Sequence, residues 1–181
     1  AESRSIRFVI DVPDHVLKIY HDREKLEKII TNLLSNAFKF TPKSGTVTCR
    51  IKILGDREDP SGVCMLRIII ADTGPGIPLK EREKIFERFY RVEGDLYEDA
   101  GGTGIGLSLT RELINMLHGE VAVKSLVGTG AVFIVSIPLG INHLEKDEYL
   151  LKEPVVAPSP EEVNATSPGK TTTEKKIADQ N

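Results

Sequence analysis

Cysteine is scarce in this chain, a basic excess is missing, and no apolar run approaches membrane-spanning length. Two cysteines, Cys49 and Cys64, do not make a disulfide framework. Cys49 alternates with Val47, Ile51 and Ile53, which predicts a buried, inert thiol. The formal net charge of −3 supplies no cationic field for nucleic acid, and no acidic block marks the chain as a mere solvating tail. With neither a leader-like segment nor an apolar stretch of about 18 residues, a cytoplasmic location is the expectation, whether or not a larger parent sits in a membrane. The missing initiator Met and the opening "AESRSIRFVI" predict a piece of a longer protein.

What the chain does have is enough apolar residue for one core: 40% hydrophobic against 28% charged in 181 residues. Apolar periodicity is continuous from residue 6 to 139. From residue 152 onward the sequence turns to Pro, Ser, Thr and charge, too poor in large apolar groups to offset chain entropy. The expected organisation is one domain over residues 1–144 and a flexible, disordered linker over 145–181. The linker holds a decoy. "PGKTT" looks like the end of a phosphate-binding loop, but Asn164 stands where that motif needs glycine and no strand precedes it.

Within the domain, "IRFVIDV" and "VLKIYH" read as short strands around a "PDH" turn. A helix follows from Arg23 to Phe40, with Asp22 as N-cap and Pro42 forbidding continuation. "TVTCRIKIL" alternates with period two, as a half-buried strand does. "VCMLRIIIAD" is more uniformly apolar and therefore more central. "KEREKIFERF" predicts a short charged helix, and residues 90–102 a mobile loop. "GIGLSLTRELINMLHG" predicts a helix closed by Gly119 at C′. "EVAVKSL" and "GAVFIVSIPL" close the domain as a hairpin. The order predicts an α+β fold: a two-layer α/β sandwich with a mixed, mostly antiparallel sheet and helices on one face.

Three short stretches carry polar groups where packing alone does not ask for them. In "NLLSNAFKFT", Leu26, Ile29, Ile30, Leu33, Ala37 and Phe40 share one helical face, and Asn32, Asn36 and Lys39 form a stripe along its border. Such a stripe is either a solvated helix edge or a set of ligands. Amide oxygens suit a hard cation and an ammonium suits a phosphate. In "DTGPGIP", Asp72 shares side-chain parity with Cys64, Leu66, Ile68 and Ile70, so its carboxylate faces an apolar layer and needs a donor such as the exocyclic amine of a base. The competing reading is an ordinary surface turn after a strand. In "GGTGIGLSL", Gly102, Gly104 and Gly106 lead into a helix whose first N–H groups attract anions, although a simple hinge would use the same glycines.

Taken in order, "NLLSNAFKFT", "DTGPGIP", "IFERFYRVE", "GGTGIGLSL" and "GTGAVF" resemble the N, G1, F, G2 and G3 boxes of the catalytic, ATP-binding domain of sensor histidine kinases. That domain is part of the GHKL, or Bergerat-type, ATPase/kinase superfamily. The resemblance covers residues 6–139 and implies the Bergerat ATP-binding fold, with ATP and Mg²⁺ as cofactors. It implies Asn36 as the metal ligand, Asn32 as a phosphate or metal-shell contact, Lys39 on phosphate oxygens and Phe40 against adenine. Asp72 would accept from the adenine amine, with Gly74, Gly76 and Ile77 walling the base. Phe86 and Phe89 would anchor a lid, whose loop from Arg91 to Gly101 is expected to be disordered without nucleotide. Tyr90 would lie near the nucleotide, and Arg91 would meet the γ-phosphate. Gly102, Thr103, Gly104, Ile105, Gly106 and Leu107 would cap the phosphates. One departure is visible: Ala131 follows Gly130 where many relatives carry a hydroxyl.

The resemblance further implies transfer of the γ-phosphoryl to a histidine on a separate helical dimerisation domain. None of His15, His21, His118 or His143 lies in an H-[ED]-x-x-x-P-like context, so this chain reads as the catalytic half alone. It would not phosphorylate itself. Its implied partners are that phosphoacceptor domain, N-terminal in the parent, and a response-regulator receiver. The tail would tether a further module. No nucleic acid, no direct membrane contact and a monomeric fragment are expected. Two rival readings use the same fold: an ATP-hydrolysing conformational switch, and a non-catalytic nucleotide-binding module. The first needs a glutamate base four residues before Asn36, where Asn32 stands; the second should have lost Asn36, Asp72 or the glycines.

Overall fold

The computed structural model describes residues 5–13, 21–55, 64–92 and 102–139. Most of the expected "VLKIYH" strand, the lid loop after Val92 and the C-terminal linker lie outside the described residues. Along the chain come β1 (Arg7–Asp11), α1 (Arg23–Phe40), β2 (Thr46–Leu54), β3 (Cys64–Asp72), two 3₁₀ turns, α2 (Gly106–Met116), β4 (Glu120–Leu126) and β5 (Gly130–Leu139). The strands form one sheet in the order β1-β2-β3-β5-β4. Only β1 and β2 are parallel; the other pairs are antiparallel, which is the mixed sheet expected.

Alternation along β3 sends Leu66, Ile68 and Ile70 to one face, and register sets Cys49 and Phe133 on either side of Ile70. Onto that layer pack Ile29, Leu33 and Ala37 of α1 and Ile114 of α2, all buried. Each large aliphatic side chain so buried contributes roughly 1.5–3 kcal/mol. Both cysteines are buried and reduced, and burial pushes the Cys49 thiol pKa up, so it is a core residue and not a nucleophile.

The ends of α1 follow its sequence signals. Asp22 accepts from the backbone N–H groups of Glu24 (3.0 Å) and Lys25 (3.3 Å), and Thr41 takes the extended conformation that Pro42 imposes on its predecessor. Asn32, Asn36 and Lys39 are each half-buried, as a border stripe should be.

Two local expectations fail. "KEREKIFERF" is not an α-helix; it makes two 3₁₀ turns, Leu79–Glu81 and Lys84–Phe86. The sheet takes the adjacent residues Ile85 and Phe86 together, both buried, while an α-helix would turn them about 100° apart. Phe89 then ends the segment with φ +65°. Gly119 is also not the left-handed C′ residue of α2. His118 holds that place (φ +54°), and the N–H groups of His118 and Gly119 close a Schellman pair onto Asn115 and Ile114. Glycine is required at 119 for another reason: a Cβ there would lie 2.7 Å from the Ser136 carbonyl oxygen.

Candidate functional site

A cavity of about 390 Å³ opens where α1, the end of β3, the start of β5 and the segment before α2 meet. Its apolar wall is Ile77, Ile85, Leu107 and Phe133; its polar groups come from the three stretches singled out in the sequence, together with Tyr90 and Arg91. From Asn32 to Lys39 the bordering stripe of α1 rises about 10.5 Å along the cavity.

One part of the lining is anionic. Asp72 is the last residue of β3, and its Oδ1 accepts from the backbone N–H groups of Gly74 (2.8 Å) and Ala131 (3.3 Å). Burial raises the Asp72 pKa; the two N–H bonds act the other way and only offset part of that rise. The hairpin comes this close because residue 130 is glycine: its φ is +105°, and a Cβ would overlap the Asp72 carbonyl oxygen. Ser125 completes the junction, accepting from Ile77 N–H (2.8 Å) and donating to the Gly130 carbonyl (2.6 Å).

Another part of the lining is cationic. Lys39 has its pKa lowered by burial first and by the Arg91 guanidinium second, so two like charges share one mouth of the cavity. The Lys39 ammonium is 4.9 Å from the Phe40 ring centroid. It also sits over the Cα of Gly102, where an added Cβ would come within 2.6 Å. Gly104, with φ +71°, turns the chain against the backbone of Phe89, whose N–H donates to the Gly104 carbonyl (3.0 Å). The helix that follows receives no side-chain cap from its N-cap residue, Ile105, so no side chain of that residue takes up its leading N–H groups where Gly106 and Leu107 line the cavity.

Asn32, Asn36, Lys39, Phe40, Asp72, Gly76, Ile77, Tyr90, Arg91, Gly102, Thr103, Gly104, Gly106 and Leu107 all line this one cavity. Two expected residues do not. Gly74 is buried behind the carboxylate it donates to, and Ile105 is on a shallow groove outside, beside Phe89 and Leu109. Of the two expected lid anchors, Phe86 is buried with its ring edge-on to Phe133 at 6.4 Å. Phe89 is 71% exposed and anchors through its backbone alone. The sequence reading missed Phe133 and Ser125. Phe133 shares strand parity with Ala131 and was findable; Ser125 carries no signal until β4 lies beside the Gly74–Gly76 turn.

A family model described as "Histidine kinase-, DNA gyrase B-, and HSP90-like ATPase" matches residues 21–141. The chain belongs to this family. Its relatives make it the ATP-binding catalytic domain of the sensor histidine kinase branch. Hybrid signal transduction histidine kinase D of Dictyostelium discoideum is 38% identical over 155 residues, covering 86% of this chain and 10% of that protein. Sensor histidine kinase TmoS of Ectopseudomonas mendocina is 40% identical over 139 residues, covering 77% of this chain and 14% of that protein. Full-length ShkA, in its complex with AMPPNP, matches with a TM-score of 0.63 at 29% identity, over 77% of this chain and 27% of that one. The histidine kinase domain therefore spans a small part of the curated relatives it matches.

The donor set of this kinase domain fits a magnesium nucleotide better than a metal held by protein alone. Among the described residues no group of three or more His, Cys, Asp or Glu could hold a metal ion. The amide oxygens of Asn32 and Asn36 are hard but neutral, so a divalent cation there needs its charge balanced by phosphates. An acceptor carboxylate and two cations lining one cavity match a base and a phosphate chain in one molecule.

Proposed function

We propose that this domain binds Mg–ATP and donates the γ-phosphoryl group to a histidine on a separate helical dimerisation domain, which passes it to a response-regulator receiver. The observation that carries the reading is one cavity lined both by a carboxylate, Asp72, among apolar side chains and by two cations, Lys39 and Arg91. Asp72 accepts from the adenine amine while Ile77 and Phe40 flank the ring. Asn36 ligates the metal. Lys39, Arg91 and the segment Gly102–Leu107 hold the phosphates and their charge. When bound, Mg²⁺ would supply positive charge against the charge that develops on transfer. The chain's own contribution is alignment and charge neutralisation.

Asn32 supports transfer over hydrolysis: an amide cannot take a proton from water as a glutamate at that position would. The phosphoacceptor domain lies on the N-terminal side of the parent, the reaction takes place in the cytoplasm, and the isolated piece is a monomer. Among the described residues no helix is long and apolar enough to cross a membrane.

The test is titration with a non-hydrolysable ATP analogue, with and without Mg²⁺, of the wild type and of Asn36→Asp, Asp72→Asn and Gly104→Ala. Each variant should bind more weakly, and Asn36→Asp should change the metal dependence most. No binding by the wild type overturns the reading. Adding a phosphoacceptor domain and comparing phosphohistidine with released phosphate then separates a kinase from an ATP-hydrolysing switch.

A further inference from the structure

Thr110 lies one turn into α2, is 1% exposed, and has no place in the nucleotide site as described so far. Its hydroxyl donates to the Gly106 carbonyl one turn back (3.0 Å). With that hydrogen committed, Oγ1 faces outward from α2 only as an acceptor. The Gly106 carbonyl beside it is also an acceptor. Both receive a hydrogen bond from Nδ2 of Asn32, across from α1. An amide presented to two acceptors has one possible orientation, whatever is assigned to its two end atoms: nitrogen onto the acceptors, oxygen on neither. Asn32 Oδ1 lies beside Gly106, where an added Cβ would come within 2.6 Å.

Both N–H bonds of this amide are therefore used inside the protein, and only its oxygen is left for the cavity that Asn32 lines. An acceptor cannot donate to a phosphate oxygen; next to one it is repulsive. It can accept from water held by a cation. We propose that Thr110 is a positioning residue: it turns Asn32 so that Oδ1 accepts from the water shell of the nucleotide's Mg²⁺, and thereby excludes Asn32 from direct phosphate contact. This rests on the Mg–ATP reading above and sharpens it, since the resemblance left Asn32 between a phosphate and a metal-shell role.

The experiment compares wild type, Thr110→Val and Thr110→Ser in titrations with a non-hydrolysable ATP analogue, each with Mg²⁺ and with a chelator. Val keeps the shape and removes the acceptor; Ser restores the hydroxyl. The metal-dependent gain in affinity should fall roughly tenfold or more in Thr110→Val, the scale for losing the partner of a metal-site ligand. Its metal-free affinity should stay near wild type, and Thr110→Ser should recover the gain. An unchanged metal gain in Thr110→Val overturns the proposal. So does an equal loss with and without metal, which marks a purely structural residue, or failure of Thr110→Ser to recover. Independently of any variant, the Asn32 Nδ2 protons of the wild type should give nuclear Overhauser contacts to Thr110 and exchange slowly; fast exchange without such contacts overturns it too. If the wild type binds no analogue, the function reading fails, while the proton measurement still judges the orientation of Asn32.

Discussion

The backbone N–H of Ala131 donates to Oδ1 of Asp72 at 3.3 Å, joining the last residue of β3 to the second residue of β5. The contact is made by main chain, so it is indifferent to the missing hydroxyl at residue 131. Anchoring of the carboxylate is thus separated from whatever polar contact other members of the family make with that side chain.

Asp72→Asn should act with opposite signs on binding and stability. Asparagine Oδ1 can still accept from Gly74 and Ala131, but its amide nitrogen offers the adenine amine no acceptor. Nucleotide affinity should drop by roughly 1–3 kcal/mol, the range for a hydrogen bond with a charged partner. The nucleotide-free variant should melt no lower than wild type, because a partly buried charge has gone. Calorimetric titration and thermal melts of the same preparations measure both.

The raised Asp72 pKa also gives a signed pH dependence. The folded state holds this proton more tightly than the unfolded state does, where Asp titrates near ~3.9. The stabilising contribution is therefore fully present below the unfolded value and is lost as pH rises through the folded one. The stability of wild type minus that of Asp72→Asn should fall across that window and be flat above it. Nucleotide binding should run the other way and strengthen as the carboxylate ionises. Urea titrations and binding isotherms at stepped pH check the pair.

Gly130→Ala and Gly128→Ala form a matched comparison. Both residues have positive φ, +105° and +83°, but a Cβ at 128 meets nothing within 4 Å while one at 130 overlaps the Asp72 carbonyl. Gly128→Ala should cost about 1–2 kcal/mol of backbone strain. Gly130→Ala should cost more than its partner, in the range above about 4 kcal/mol reserved for named clashes, or move β5 off Asp72 and weaken nucleotide binding. Denaturant midpoints of the two variants decide it.

Ser125→Ala removes a hydroxyl that accepts from Ile77 and donates to Gly130. With the bond from the Ile77 N–H and the bond to the Gly130 carbonyl both lost, stability should fall by roughly 1–3 kcal/mol. The base-side wall should loosen with it, so nucleotide affinity should fall while the metal-dependent gain set at Asn32 stays as in wild type. Paired melts and titrations with and without Mg²⁺ resolve the two effects.

Most of the candidate site was readable from spacing because its residues are placed by local rules. Asp22 and Pro42 bound α1, helical period turns Ile29, Leu33 and Ala37 inward, and the same period puts Asn32, Asn36 and Lys39 at the border. Period two along β3 aims Asp72 at the helix layer. The misread segments are those where a distant surface overrules local preference. Phe133 in β5 draws Phe86 into a 3₁₀ turn, and Ser136 and Ile137 in the same strand leave no room for a Cβ at 119, which hands the left-handed position to His118.

Composition, periodicity and the ordered boxes were sufficient for the sandwich, for the family and for which residue types face the cavity, because each depends on neighbours within a turn or two of chain. The pairing of β1 with β2, the Ser125 bridge and the direction of the Asn32 amide depend on groups 39, 48 and 78 residues away. A hydrogen-bond direction is set by which acceptor stands opposite. Only folding brings Thr110 opposite Asn32.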